Sequence, residues 1–321
     1  MSVPEPIRTA AVKLPALELA EWEASKTTLH LWLQIVGKIR MASTAPRNHW
    51  WHATLYLDAR GLTTRRLHAA SGIAFEVAFD FIDHQLVVLT NRGALKSFPL
   101  RDGLSVAEFD HELHALLESL GVDVEIQEAP YGVATTTPFP EDREHASYDP
   151  DAVARFWRIL EWSDEVLEEF AGWYCGKTSP VHLFWHGLDL AVTRFSGSRA
   201  PSSPEADPVS RAAYSHEVIS FGFWAGDDKV REASYYSYTA PEPPDLRSQP
   251  LSPEDAYWTK PLALLPYGSV RSAPDPRAHL LAFLESAYRA GARSPNWDRE
   301  SLASDSYPDP SELRKLLGHD F

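Results

Sequence analysis

The chain has 321 residues and a formal net charge of -15, so broad electrostatic binding to phosphate backbones or anionic lipid is unfavourable and nucleic acid is not an expected partner. Hydrophobic residues make up 44% and aromatics 12%, with 11 Trp, a globular composition with an unusual supply of large flat side chains. One cysteine, Cys175, excludes an intrachain disulfide and any cysteine-rich metal site. That points to a reducing compartment, the cytoplasm. No basic segment followed by an apolar one opens the chain and no run suits a membrane span, so neither export nor membrane insertion is expected.

In chain order, LELAEWEAS (17–25) reads as a short amphipathic helix. TTLHLWLQIVGKIR alternates, with Leu29, Leu31, Leu33 and Ile35 on one face and His30, Trp32, Gln34 and Val36 on the other, which predicts a strand. Further strands are predicted over 49–62 and 75–90, the second folding into a hairpin at Asp83 and His84. Residues 105–121 carry a Ser N-cap, Glu at the capping-box position and a Gly stop, a strong helix signature. A Pro/Thr-rich connector leads to a bridging helix over 151–174. Strands over 179–195, 215–224 and 233–243 follow, and then a helix over 275–291.

The order of strands and then a helix thus recurs. His49 and His216 differ by 167 positions, as do the helical segments Ala115–Ser119 and Ala282–Ser286. The first predicted strands differ by 152, from His30 to His182, and a Ser/Pro-rich insertion (FSGSRAPSSPEADPVSRAAY) accounts for the difference of 15. The expected fold is α+β, two diverged strand-rich repeats packed about a pseudo-two-fold axis and joined by a bridging helix. The expected divisions are an N-terminal extension (1–25), a first repeat (26–130), a connector and bridging helix (131–175), a second repeat (176–300) and a tail (301–321).

If the mixed faces of the two first strands line one cleft, His30 and His182 become candidates for acid–base or metal-binding roles, since imidazole serves both near neutral pH. His216 and Glu217 join them as catalytic candidates, although adjacent strand residues point to opposite faces and Glu217 needs a bulge to enter the same site. Gln34 and Trp32 fall on the His30 face. His49, in NHWWH, belongs to an aromatic wall, read first as packing between sheet and helix and second as a stacking platform for a planar ligand. Lys177, Arg194 and Arg199 are candidates for holding an anionic group. Asp189 is a ligand-binding candidate too, although on one continuous strand it points to the face opposite His182 and Arg194, where a buried pairing with another partner is the simpler reading. Taken singly, each of these histidines is more simply read as a core or near-core residue hydrogen-bonded to backbone or a carboxylate. DHELH (110–114) has one residue too few for the HExxH zinc motif, and GWYCGKTS (172–179) follows a helix where a phosphate loop needs a strand. No nucleotide-binding motif is present, and a divalent metal is compatible with the histidines. The reading is an enzyme acting on a small, anionic molecule in a His/Trp-lined cleft between the repeats. The alternatives are a non-catalytic binding or sensor module and an interaction protein.

The strings TLHLWLQIVGKIR, NHWWHATLYLDARGLTT, FDFIDHQL, HASYD, SPVHLFWHGLDLAVTRFSG and SHEVISFGFW together resemble a bacterial family catalogued as domain of unknown function 5996. The likeness runs over about residues 22 to 299 and implies no activity, so it assigns no role to any residue. His30, His49, His182, His216 and Glu217 match the family pattern. His186 departs from it, at a position usually occupied by Gly.

Overall fold

The computed structural model describes residues 13–201, 207–293 and 296–304. The first 12 residues of the expected N-terminal extension, most of the C-terminal tail and the middle of the Ser/Pro-rich insertion lie outside the described residues. Helix α1 spans Leu19–Ala42, so the segment expected to form the first strand is helical. Leu29, Leu31, Trp32, Leu33, Ile35, Val36 and Ile39 are all fully buried on it. A helix enclosed on every side keeps no polar stripe, its 3.6-residue period fades, and a run such as Leu29, Leu31, Leu33, Ile35 imitates a strand. Gly37 lets α1 press against the Trp185 ring, where a Cβ would come within 2.2 Å of a ring carbon.

After a single 3-10 turn at Asn48–Trp50 come β1 (Thr54–Leu57), β2 (Gly61–Thr63), β3 (Leu67–His68), β4 (Ala74–Asp80), β5 (Gln85–Thr90) and β6 (Leu95–Pro99). Helix α2 (Val106–Ser119) starts with a capping box: the Glu108 N–H donates to Ser105 Oγ (3.2 Å) and the Ser105 N–H donates to the Glu108 carboxylate (3.0 Å). Helix α3 (Pro150–Gly172) is capped by Asp149 with Pro150 in its first position.

The predicted strand over 179–195 is a hairpin, β7 (His182–Phe184) and β8 (Asp189–Arg199), turning at Leu188 with φ 52. The reversal changes which residues share a face. His182 partners Ala191 and Phe184 partners Asp189, so Asp189 faces the same side as His182 and not the opposite one. Arg194 points away from both. Then come α4 (Pro208–Ala213), β9 (His216–Trp224), β10 (Ser234–Ala240), β11 (Tyr257–Trp258), β12 (Ala263–Pro266), α5 (Tyr267–Ser272) and α6 (Pro276–Gly291).

These strands form one antiparallel sheet in the order β11-β12-β10-β9-β8-β7-β1-β2-β4-β5-β6, with β3 beside β4. The four long helices lie in a row α2, α1, α3, α6, with α2, α1, α3 and α6 each contacting the sheet. The fold is therefore α+β, with the four long helices on one face of an antiparallel sheet. Between the layers, Phe170 meets Phe221 edge-on at 4.9 Å, and the Ser163 and Tyr235 hydroxyls share a hydrogen bond of 2.8 Å. Full burial of a residue such as Phe221 or Leu190 is worth about 1.5–3 kcal/mol.

Of the two pairs at the offset of 167, the helical pair falls on one helix each, α2 and α6, whereas His49 lies in the 3-10 turn and His216 opens β9. His30, on α1, and His182, on β7, do not occupy matching strands. Among the described residues no helix is long and apolar enough to cross a membrane.

Candidate functional site

The sheet face turned away from the helices is hollow over β7 to β10. Register sets its floor in rows: Asp189 beside Trp224, Ala191 beside Gly222 and Tyr236, Thr193 beside Ser220 and Tyr238, and Phe195 beside Val218. The 3-10 turn with His49 and Trp50, helix α4, the loop at Asp227–Val230 and the segment Thr259–Leu262 rise around it and close a cavity of about 740 Å³. Pockets of this size, mostly apolar with a few convergent polar groups, suit a small molecule.

Asp189 is the chemical centre of that floor. Its carboxylate accepts a hydrogen bond of 2.5 Å from the Tyr236 hydroxyl. To make it, the Tyr236 ring crosses β9 at Gly222, the residue whose missing side chain leaves room for it. Asp189 is still partly open to the cavity. The protein packed around it pushes its carboxyl above the usual range, against the smaller opposing pull of His186 and of the Tyr236 bond. Tyr238 stacks parallel to Tyr236 at 6.3 Å and Tyr214 reaches the Tyr238 hydroxyl at 3.5 Å. Thr193 and Ser220 share a hydroxyl hydrogen bond of 3.0 Å. Burial holds the Tyr236 and Tyr238 hydroxyls protonated well above their ordinary range.

At the other end, His49 and Trp50 adopt left-handed backbone at φ 56 and 61, a conformation uncommon for bulky residues and one that clusters at functional sites. His49 donates from Nδ1 to the Ala213 carbonyl (3.0 Å) and accepts at Nε2 from the Lys177 ammonium (2.8 Å). Lys177 lies over Phe195 at 4.5 Å and Trp51 at 5.2 Å. Burial lowers both the His49 imidazole and the Lys177 amine from their ordinary values.

The cavity thus takes His49 and Asp189 from the predicted residues, with Lys177 beside it. The others are dispersed. His30 Nε2–H donates to the Trp185 carbonyl at 2.9 Å, with the His186 carbonyl at 3.2 Å, and burial brings its ring down to about 4. Gln34 clasps the Tyr131 backbone through both amide atoms at 2.9 and 2.8 Å. Trp32 is in the core, stacked on Phe109 at 5.0 Å. His182 is fully buried between Phe184 and Tyr56, and neither ring nitrogen has a partner among the described residues. Burial first, then the Arg40 and Arg65 charges, bring it down to about 3.

His216 contacts the Ser215 hydroxyl at 3.2 Å, and its ring lies 5.7 Å from that of His49. Glu217 turns to the other face, accepting from Ser196 Oγ (2.8 Å) and Asn296 Nδ2 (2.6 Å). The irregularity that was needed to bring Glu217 to His216 falls on β8, between Phe195 and Arg199, not on β9. Arg194 is buried against α3, donating to the Phe170 carbonyl, and Arg199 is exposed at the end of β8 opposite His216. Among the described residues no group of three or more His, Cys, Asp or Glu could hold a metal ion.

Sequence reasoning missed Tyr236, Tyr238, Thr193 and Ser220. The signal for the tyrosines was present in SYYSYT, whose alternation puts Tyr236 and Tyr238 on one face, and in Gly222 inside a strand, which marks a close approach.

Neither the curated proteins nor the solved structures contain a match to this chain. The model of a family of unknown function, DUF5996, matches residues 14–304, nearly the whole chain and including every residue of the cavity floor. The protein accordingly belongs to the DUF5996 family.

Proposed function

We propose that the protein is an enzyme that acts on a small polar molecule bound in the cavity over β8 to β10, with Asp189 as its acid–base group. The observation that carries this reading is a carboxyl raised above its normal range, accessible from a cavity and held by one hydroxyl donor, which is how proton transfer near neutral pH is arranged. Trp50, Trp224 and Tyr236 offer flat apolar surfaces for a ring, and Thr193 and Ser220 offer hydroxyls to its polar edge. Lys229 and Lys260 at the rim are placed for an anionic substituent. His30 and His182 are positioning and packing groups in this reading, and His49 orients the far wall.

The two halves are also read as a duplication. Support comes from their mirrored order: β1 and β7 adjoin at the middle of the sheet, α1 and α3 adjoin at the middle of the helix row, and each half runs from a long helix through antiparallel strands to a helix. The repeats expected over 26–130 and 176–300 then extend N-terminally to take in α1 and α3. A cytoplasmic setting fits the single, exposed Cys175.

The test is a melting-temperature screen of the purified chain against sugars, nucleosides, amino acids and their phosphorylated derivatives, with each stabilising compound then incubated and followed by mass spectrometry. A compound that stabilises the protein should be converted, and Asp189→Asn should slow its conversion by about 100-fold or more while leaving the fold intact. Stabilisation without conversion would make the protein a binding module, and conversion undiminished in Asp189→Asn would remove Asp189 from the mechanism.

A further inference from the structure

A second cavity lies on the helix side of the sheet, behind the floor just described. Helix α6, the end of α3 and the segment 296–304 enclose about 420 Å³ lined by Tyr174, Arg194, Glu285, Tyr288, Arg289 and Arg299. Its chemistry is unlike that of the first. Arg194 is 1% exposed, and no carboxylate among the described residues pairs with it. Its guanidinium donates to the Phe170 carbonyl and is packed by the rings of Phe170 (3.6 Å), Tyr288 (4.6 Å) and Tyr174 (5.0 Å). Among the described residues Nε of Arg194 has no hydrogen-bond partner, and neither does the buried Tyr288 hydroxyl that lines the same cavity.

A guanidinium keeps its proton even when burial draws its pKa down, here to about 10, so Arg194 remains a buried charge that no described carboxylate pairs directly, with Glu285 acting on it only from the cavity wall. The neighbours add to the imbalance. Glu285 is committed to Arg289 at 2.7 Å, and Arg299 forms no ion pair with a described residue. Three arginines therefore face one carboxylate in a chain whose net charge is -15. Buried charges are ordinarily paired, and unmet donors of this kind are met by a ligand that accepts.

We propose that this cavity binds a small phosphate- or carboxylate-bearing anion, with Arg194 Nε and the Tyr288 hydroxyl donating from the floor and Arg299 and Arg289 closing on it from the rim. The proposal is independent of the Asp189 cavity, which lies on the other face of the sheet. Inorganic phosphate and citrate are the probes, titrated into the full chain against sodium chloride of matched ionic strength, with melting temperature and calorimetry as readouts. Arg194 has a packing role as well, so the discriminating variants are Arg289→Ser with Arg299→Ser, both at the rim, and Tyr288→Phe. Phosphate or citrate should give a saturable stabilisation that chloride does not, weakened by about tenfold or more in apparent affinity in the rim double variant and retained in Asp189→Asn. No stabilisation beyond that of chloride, or a titration unchanged in both the rim double variant and Tyr288→Phe, would overturn the proposal. Loss of binding in Asp189→Asn with retention in the rim variants would assign the anion to the first cavity instead and equally overturn it.

Discussion

His182→Leu should leave the protein at least as stable at pH 7.5 and make it about 2–3 kcal/mol more stable than the unsubstituted chain at pH 4.5. His182 sits in the centre of the sheet with both ring nitrogens unpartnered among the described residues, and its pKa falls to about 3. Above the ordinary value of 6.5 the ring is neutral folded and unfolded, so the depressed pKa costs nothing there. Below it the unfolded chain takes up a proton that the folded one refuses, and stability is lost at about 1.4 kcal/mol per pH unit until the folded pKa is reached. Leucine has a similar volume and no proton to bind, so it removes that loss, and it also removes two buried polar atoms without partners.

Asp164 provides the opposite slope in the same molecule. Burial and Glu168 raise its carboxyl to about 7. A raised carboxyl favours the folded state when protonated, so its stability is full below about 3.8 and is lost as pH climbs through about 7. Asp164→Asn should therefore stabilise at pH 7.5, by on the order of 1–2 kcal/mol after solvent screening, and have little effect at pH 4. Urea unfolding of the three chains at both pH values checks the pair of signs. An unaltered pH dependence in His182→Leu would mean that His182 is charged or hydrogen-bonded in solution.

What could be read in advance follows from how local each cause is. The start of α2 was legible because Ser105 and Glu108 satisfy each other within one turn, and no distant contact is needed to fix them. Helix α1 was misread because its signal is tertiary. Leu31, Trp32 and Leu33 are successive residues with no exposure at all, and only the helices and sheet around them explain why all three directions are apolar. Asp189 was singled out as a candidate but given the wrong face. The turn at Trp185–Leu188 carries Leu, not Gly, at its left-handed position, so the hairpin that brings Asp189 back beside Phe184 had a weak local mark. The partnership of Asp189 with Tyr236 lies further out of reach still, since it depends on two strand registers and on a glycine between them.

That glycine is where fold and proposed chemistry meet. A Cβ on Gly222 would lie 2.2 Å from the Leu190 carbonyl oxygen and 2.6 Å from the Tyr236 hydroxyl, and the first of these is backbone that cannot step aside. Gly222→Ala should therefore cost about 3 kcal/mol or more in denaturant unfolding, forcing β8 and β9 apart at their centre. It should also lift the Tyr236 ring off its path to Asp189, so that whatever folds is inactive. Tyr236→Phe separates the two effects. It keeps the ring over Gly222, costs about 1 kcal/mol for the lost hydrogen bond, and takes away a donor that favours the ionised Asp189. The Asp189 carboxyl should then titrate higher than it does with Tyr236 in place, and the basic role of Asp189 should appear only at higher pH. If the pH profile of conversion is the same in Tyr236→Phe as in the unsubstituted chain, the group that titrates in that profile is not Asp189.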